Sequence, residues 1–120
     1  MSVLSEDSPF YPVDPERVIL ETDSAVAFYD AYPISKGHAL VVPKIPVISV
    51  FEFDSDLQAA IWETVRLTRE FLENEFQPDG FNIGINDGQT AGQTIPHAHI
   101  HVIPRYRGDC FDPRGGIRWI

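Results

Sequence analysis

Three of the chain's four histidines alternate within seven residues, His97-Ala98-His99-Ile100-His101-Val102-Ile103. Side chains on a strand point alternately to opposite faces, so this spacing predicts His97, His99 and His101 on one face, about 7 Å from neighbour to neighbour. Ala98, Ile100 and Val102 take the other face, which is apolar and suits a core. Imidazoles add nothing to strand packing that Val or Tyr would not supply better, so such a row calls for a chemical role. Two chemistries compete. Neutral imidazole ligates transition metals, and a zinc set could be drawn from His97, His99 and His38. Neutral imidazole is also a nucleophile toward phosphorus, with neighbouring rings donating hydrogen bonds to phosphate oxygens. The only cysteine is Cys110, which leaves a zinc set without thiolates. The segment before the row, Asn86-Asp87-Gly88-Gln89-Thr90-Ala91-Gly92-Gln93-Thr94, is rich in glycine, amides and hydroxyls. Such a loop aims neutral donors at an anion, which a metal site does not need. Phosphate chemistry is the favoured reading.

The elements that must position these residues are legible on both sides of the loop. Residues 1–16 hold Pro9, Pro12 and Pro15 and read as an irregular arm along the surface. Val18-Ile19-Leu20-Glu21 and Ala25-Val26-Ala27-Phe28-Tyr29 read as two strands joined by a tight turn at Thr22-Asp23-Ser24. Gly37 opens a third strand, His38-Ala39-Leu40-Val41-Val42, which Pro43 and Pro46 close. One helix follows: Ser55 with Gln58 resembles a capping box, and Asp56 suits the first turn. Leu57, Ile61, Val65, Thr68, Leu72 and Phe76 recur at spacings of three and four, predicting one buried stripe that ends before Pro78 and Gly80. A fourth strand covers Phe81 to Asn86, and a fifth runs from about Pro96 to Pro104. Residues 105–120 form a loop-like tail packed through Trp119. Antiparallel strands with one long helix define an α+β domain: a sheet of about five strands carrying one helix, in a single unit over residues 1–120.

Composition bounds the partners. A chain of 120 residues with 43% hydrophobic and 22% charged residues is ordinary for a globular domain. No stretch approaches the roughly 20 apolar residues of a membrane span, so no membrane partner is expected. Met1 to Asp7 puts no positive residue ahead of an apolar run, which reads as no secretory leader and fits a cytoplasmic location. A formal net charge of −9 repels polymeric nucleic acid, which binds through clustered Lys and Arg. A small nucleotide remains open, because a site can supply its own local donors.

The run Ala91-Gly92-Gln93-Thr94-Ile95-Pro96-His97-Ala98-His99-Ile100-His101-Val102-Ile103 resembles the signature of the histidine-triad (HIT) superfamily. Gly37-His38-Ala39-Leu40-Val41-Val42-Pro43-Lys44, about sixty residues earlier, resembles that family's second marker segment. The resemblance covers about Val18 to Asp109. It implies that His99 is the nucleophile at the α-phosphorus, forming a nucleotidyl-histidine from which water releases a nucleoside monophosphate. It also implies that His101 hydrogen-bonds the phosphate and assists the leaving group, while His97 and His38 line and orient the site. Gln93, Thr94 and Asn86 are implied phosphate or leaving-group contacts, and Asp30 the acceptor of the ribose hydroxyls. The bond cleaved is implied to be a phosphoanhydride or a phosphoramidate. An all-histidine triad in a short chain departs from the sugar-phosphate nucleotidyltransferase branch. No metal is obligatory in this reading, although a divalent cation can accompany a polyphosphate substrate. A homodimer is implied, with Trp62 or the helix face in the contact. The competing reading is a nucleotide-binding or sensing protein on the same scaffold, with little turnover.

Overall fold

In the computed structural model, which describes residues 3–118, five strands form one antiparallel sheet crossed by a single long helix. The strands are β1 (Val18–Glu21), β2 (Ala25–Tyr29), β3 (Ala39–Pro43), β4 (Gly80–Gly84) and β5 (Ile100–Arg105), in the order β1-β2-β3-β5-β4. The helix α1 spans Ser55–Phe76. This is the expected α+β arrangement.

The alternation of each strand divides the interior into two clusters. Ala25, Ala27, Ala39, Val41, Ile100 and Val102 face α1 and meet Ile61, Val65 and Leu72. That stripe is the expected one, with Thr64 buried in addition and Leu57 and Phe76 at its partly buried margins. Val26, Phe28, Leu40 and Val42 face the other way, where the N-terminal arm covers them with Leu4 and Val13. The arm is irregular apart from one 3-10 turn at Pro15–Arg17, but it does not simply lie on the surface. Leu4, Ser8 and Val13 are each 5% exposed or less. Apolar strand residues on the face opposite α1 need a cover, and the arm is what the chain supplies.

Local differences from the sequence reading have local causes. Helix α1 is capped by Asp54, whose carboxylate accepts from the Leu57 N–H at 2.9 Å, and not by Ser55. A complete capping box lies one turn earlier, where Ser49 and Glu52 close a 3-10 turn at Val50–Glu52. Asp54→Ala is therefore expected to destabilise the fold by about 1 kcal/mol, whereas Ser55→Ala changes little; urea denaturation of both variants checks this. The helix ends on Gln77 in the left-handed conformation, ahead of Pro78. Gly37 has φ +91°, and a Cβ there would stand 2.8 Å from the Phe76 ring, so the turn into β3 requires glycine.

The fifth strand begins later than its sequence predicts, at Ile100 and not near Pro96. β3 pairs with β5 through Ala39–Val102, Leu40–His101 and Val41–Ile100. Two residues beyond Val41 stands Pro43, which has no amide hydrogen with which to extend a ladder. The Ala98 N–H turns instead to the Val47 carbonyl at 2.7 Å, and the His97 N–H to Ile95 at 2.8 Å. His97, Ala98 and His99 thus precede the strand. The expected packing through Trp119 lies outside the described residues.

Candidate active site

A cleft of about 600 Å³ opens on the sheet face opposite α1, between β2, β3, β5 and the arm. Asp30, His38, Asn86, Thr94, His99 and His101 all line it. The row of rings in this cleft is not the one that strand spacing predicts. His38, His101 and His99 stand in series, with centroids 5.2 Å apart at each step. His97 is fully buried beneath them and does not line the cleft.

Hydrogen bonds determine which nitrogen of each ring carries the proton. His99 Nδ1 lies 2.8 Å from the His97 carbonyl, which only accepts, so Nδ1–H donates and Nε2 is left as a bare lone pair. His38 Nδ1 accepts from the Ile34 N–H at 3.2 Å, which places the His38 proton on Nε2. That Nε2–H donates to His101 Nδ1 at 3.0 Å, so the His101 proton sits on its own Nε2. Asp30 approaches the same His38 Nε2 at 3.5 Å, and its other oxygen accepts from the Tyr32 N–H at 2.9 Å. The cleft therefore combines a nucleophilic imidazole nitrogen on His99, an adjacent donor tautomer on His101 and a carboxylate beyond.

Burial favours the neutral form of three of the rings, His38, His97 and His101. It lowers the pKa of His38, against the pull of Asp30, and lowers that of His97. His101 is lowered from 6.5 to about 4, first by burial and then by its neighbours His99 and His38. A depressed folded pKa means that unfolding takes up protons. Stability from these groups is full above pH 6.5 and is lost as the pH falls toward about 4. The melting temperature should therefore rise between about pH 4.5 and 6.5, and His101→Asn should make the rise shallower. A melting temperature flat across that window, followed by calorimetry, contradicts buried neutral imidazoles.

Asp30, His38 and His101 bring their ligating atoms within 4.8 Å of one another, which raises the question of a metal. Two ligands of one ion must aim their lone pairs at a common third point about 2.0–2.1 Å away. Here the N···N distance of 3.0 Å and the centroid distance of 5.2 Å place the two nitrogens almost on the line between the rings. The nitrogens face each other, as a hydrogen bond requires and a shared metal does not. His97 offers no free ligand either, since Pro43 and Ser8 occupy its two nitrogens.

The loop before the histidines is also organised differently from its sequence reading. The N–H groups of Gly88, Ala91, Gly92 and Gln93 all bond within the loop. Gln93 lies outside the cleft: its carbonyl oxygen accepts from Gly88, and its amide donates to Ile48 and Ile95. It holds the loop's shape. Asn86 donates to the Ala91 carbonyl at 2.7 Å at the edge of the cleft, and Thr94 presents an exposed side chain to it.

Sequence reasoning missed the contribution of the arm and of the 3-10 turn at Pro15–Arg17. Pro9 and Phe10 form one wall, and Phe10 packs edge-on against His99 at 5.3 Å. Arg17 is the one Lys or Arg among the described residues that lines the cleft, tied to the Tyr29 carbonyl at 3.0 Å and lying over the Phe28 ring. An aromatic residue inside a proline-rich arm was the available signal for Phe10; Ser8 and Arg17 gave none.

An open antiparallel sheet with one helix behind it and interlocked histidines on its other face defines a compact class of histidine-based α+β proteins. The HIT domain model matches residues 12–108, and the chain belongs to the HIT family. It is 38% identical over 98 residues to Protein hit of Bacillus subtilis, covering 81% of this chain and 68% of that one. It is 36% identical over 99 residues to an asymmetrical bis(5'-nucleosyl)-tetraphosphatase of Schizosaccharomyces pombe, covering 82% of this chain and 54% of the yeast protein. Among solved structures, a protein from Streptococcus mutans superposes with a TM-score of 0.80 at 33% identity, covering 95% of this chain and 75% of the other.

Proposed function

We propose that this chain is a nucleotide hydrolase or transferase that cleaves a phosphoanhydride or phosphoramidate bond at the α-phosphate through His99. The observation that carries the reading is the pair of locked tautomers, a bare Nε2 on His99 beside a protonated Nε2 on His101. His99 Nε2 attacks the α-phosphorus, forming an N–P bond as the bond to the leaving group breaks. The positive charge that develops on the His99 ring is met by the His97 carbonyl at Nδ1–H. His101 Nε2–H donates to the departing atom or to a phosphate oxygen. Water then attacks phosphorus and loses a proton to solvent, the N–P bond pair returns to His99 Nε2, and a nucleoside monophosphate leaves.

Asp30 accepts from the ribose hydroxyls in this reading, with Thr94 and Asn86 at the phosphates and His38 orienting His101. Tyr32, Ile34 and Phe10 offer apolar surface to the base. The reaction needs no resident metal, and a divalent cation enters only with a polyphosphate substrate. Similarity to the bis(5'-nucleosyl)-tetraphosphatase of Schizosaccharomyces pombe supports the phosphoanhydride branch. The protein is proposed to act as a cytoplasmic homodimer, without membrane or polymeric nucleic acid as a partner. Edge strand β4, where Ile83 is 39% exposed, and Trp62 on α1, 45% exposed, are the surfaces offered to a second copy.

The test is product formation from diadenosine tetraphosphate and from an adenosine phosphoramidate, side by side, with His99→Ala as the control. Release of AMP that the control abolishes supports the enzyme, and the faster substrate identifies its leaving group. Tight binding of both without AMP release refutes it in favour of a binding protein.

A further inference from the structure

We infer that Ser8, in the N-terminal arm, is a positioning residue for His99, acting through the buried ring of His97. The inference rests on the reading of His99 as the group that attacks phosphorus.

His97 has no exposed surface, and both its ring nitrogens are engaged. Nε2 lies 2.8 Å from the Pro43 carbonyl, which only accepts, so Nε2 carries the proton. Nδ1 is then an acceptor, and the hydroxyl 2.6 Å away on Ser8 is the donor. Ser8 Oγ in turn accepts from the Phe10 N–H at 3.1 Å. Every group in this series, from Phe10 through Ser8 and His97 to Pro43, has one direction only. The far end of the His97 residue is the carbonyl that accepts from His99 Nδ1–H. The placement of His97 thereby determines both the orientation of the His99 ring and which of its nitrogens faces the cleft.

Ser8 is 4% exposed and does not line the cleft, so it has no access to a substrate. Its hydroxyl is nevertheless the only partner of His97 Nδ1 among the described residues. Without it, a buried lone pair loses its donor, and the ring is free to exchange its proton between nitrogens. The exchanged tautomer would set a bare Nε2 against the Pro43 carbonyl, and the repulsion would shift His97 together with its own carbonyl. Misplacement of a nucleophile by a fraction of an ångström is costly in rate while leaving substrate contacts elsewhere intact. The Phe10 ring, which packs against both His97 and His99, ties the same stretch of arm to both rings.

The test compares Ser8→Ala with Val13→Ala, which loosens the same arm in its apolar cluster without touching the histidines. Ser8→Ala is expected to lower kcat about tenfold or more with KM within twofold, whereas Val13→Ala lowers the melting temperature and leaves kcat near wild type. Equal losses of kcat in the two variants, or none in Ser8→Ala, overturn the inference. A measurement on the unaltered protein keeps it testable if Ser8→Ala does not fold. Nitrogen-15 NMR should show a bare Nδ1 and protonated Nε2 on His97, with the reverse on His99; the opposite tautomer on His97 overturns the inference. The reading of His99 stands or falls separately. An inactive His99→Ala beside a Ser8→Ala of wild-type kcat removes the role of Ser8 alone, whereas an active His99→Ala removes both.

Discussion

Replacement of His99 by alanine should lower kcat by about four orders of magnitude or more while nucleotide affinity stays within a few-fold of wild type. The asymmetry follows from geometry. His99 is 7% exposed and presents one nitrogen to the cleft, so it contributes little surface to ground-state binding. That nitrogen is the only one of the three cleft imidazoles' cleft-facing atoms that is a bare acceptor, since His101 is a donor and His38 is engaged with His101. No neighbouring group is placed to replace it. The result is read by kcat and by calorimetric binding of AMP, together with an acid-labile nucleotidyl adduct trapped from wild-type protein and absent from the variant. Turnover in His99→Ala near the wild-type rate would refute the covalent route whatever the affinity.

Asp30→Ala should act in the opposite sense, weakening AMP binding by about tenfold to a hundredfold with a smaller effect on kcat. A charge-assisted hydrogen bond contributes about 1.5–3 kcal/mol, which converts to that range. The Asp30 carboxylate is prepared for such a role. One oxygen is held by the Tyr32 N–H, and the other points to the protonated nitrogen of His38 at a loose 3.5 Å, leaving acceptor capacity toward the cleft. The sugar itself supplies the check. Wild-type protein should bind AMP far better than its 2',3'-dideoxy analogue, and Asp30→Ala should bind the two alike. If the variant still discriminated between them, the ribose would be recognised elsewhere. A modest loss of kcat is expected because the carboxylate also steadies the His38 ring that supports His101.

Much of this was legible in the linear chain because it depended on local periodicity and composition. The alternation of Ile100 and Val102 with His101 places the apolar residues under α1 and the histidine on the open face, as β5 shows. The three- and four-residue spacing from Leu57 to Phe76 determines which side of α1 is buried. Two adjacent strands and a tight turn are written in residues 18–29 by composition alone. A cluster of imidazoles behind a glycine-rich loop raised the expectation of phosphate chemistry, although the N–H groups of that loop close on the loop itself.

What the tertiary structure decided is which residues become neighbours across large separations. His38 and His101 are 63 positions apart and meet only because Leu40 pairs with His101 in the β3–β5 register. The place of His97 depends on Pro43, 54 positions earlier: its missing N–H ends the ladder, and its carbonyl then captures the His97 ring. No local pattern encodes that event, so regular strand geometry predicted a row of three where the molecule buries one and recruits another. The arm is the same case at greater length, since Ser8 reaches His97 across 89 positions. Gln93 lay beside the row in sequence, yet loop closure turned its amide inward. Local periodicity states which face a side chain takes; only strand register and the cover over the second sheet face determine what it meets there.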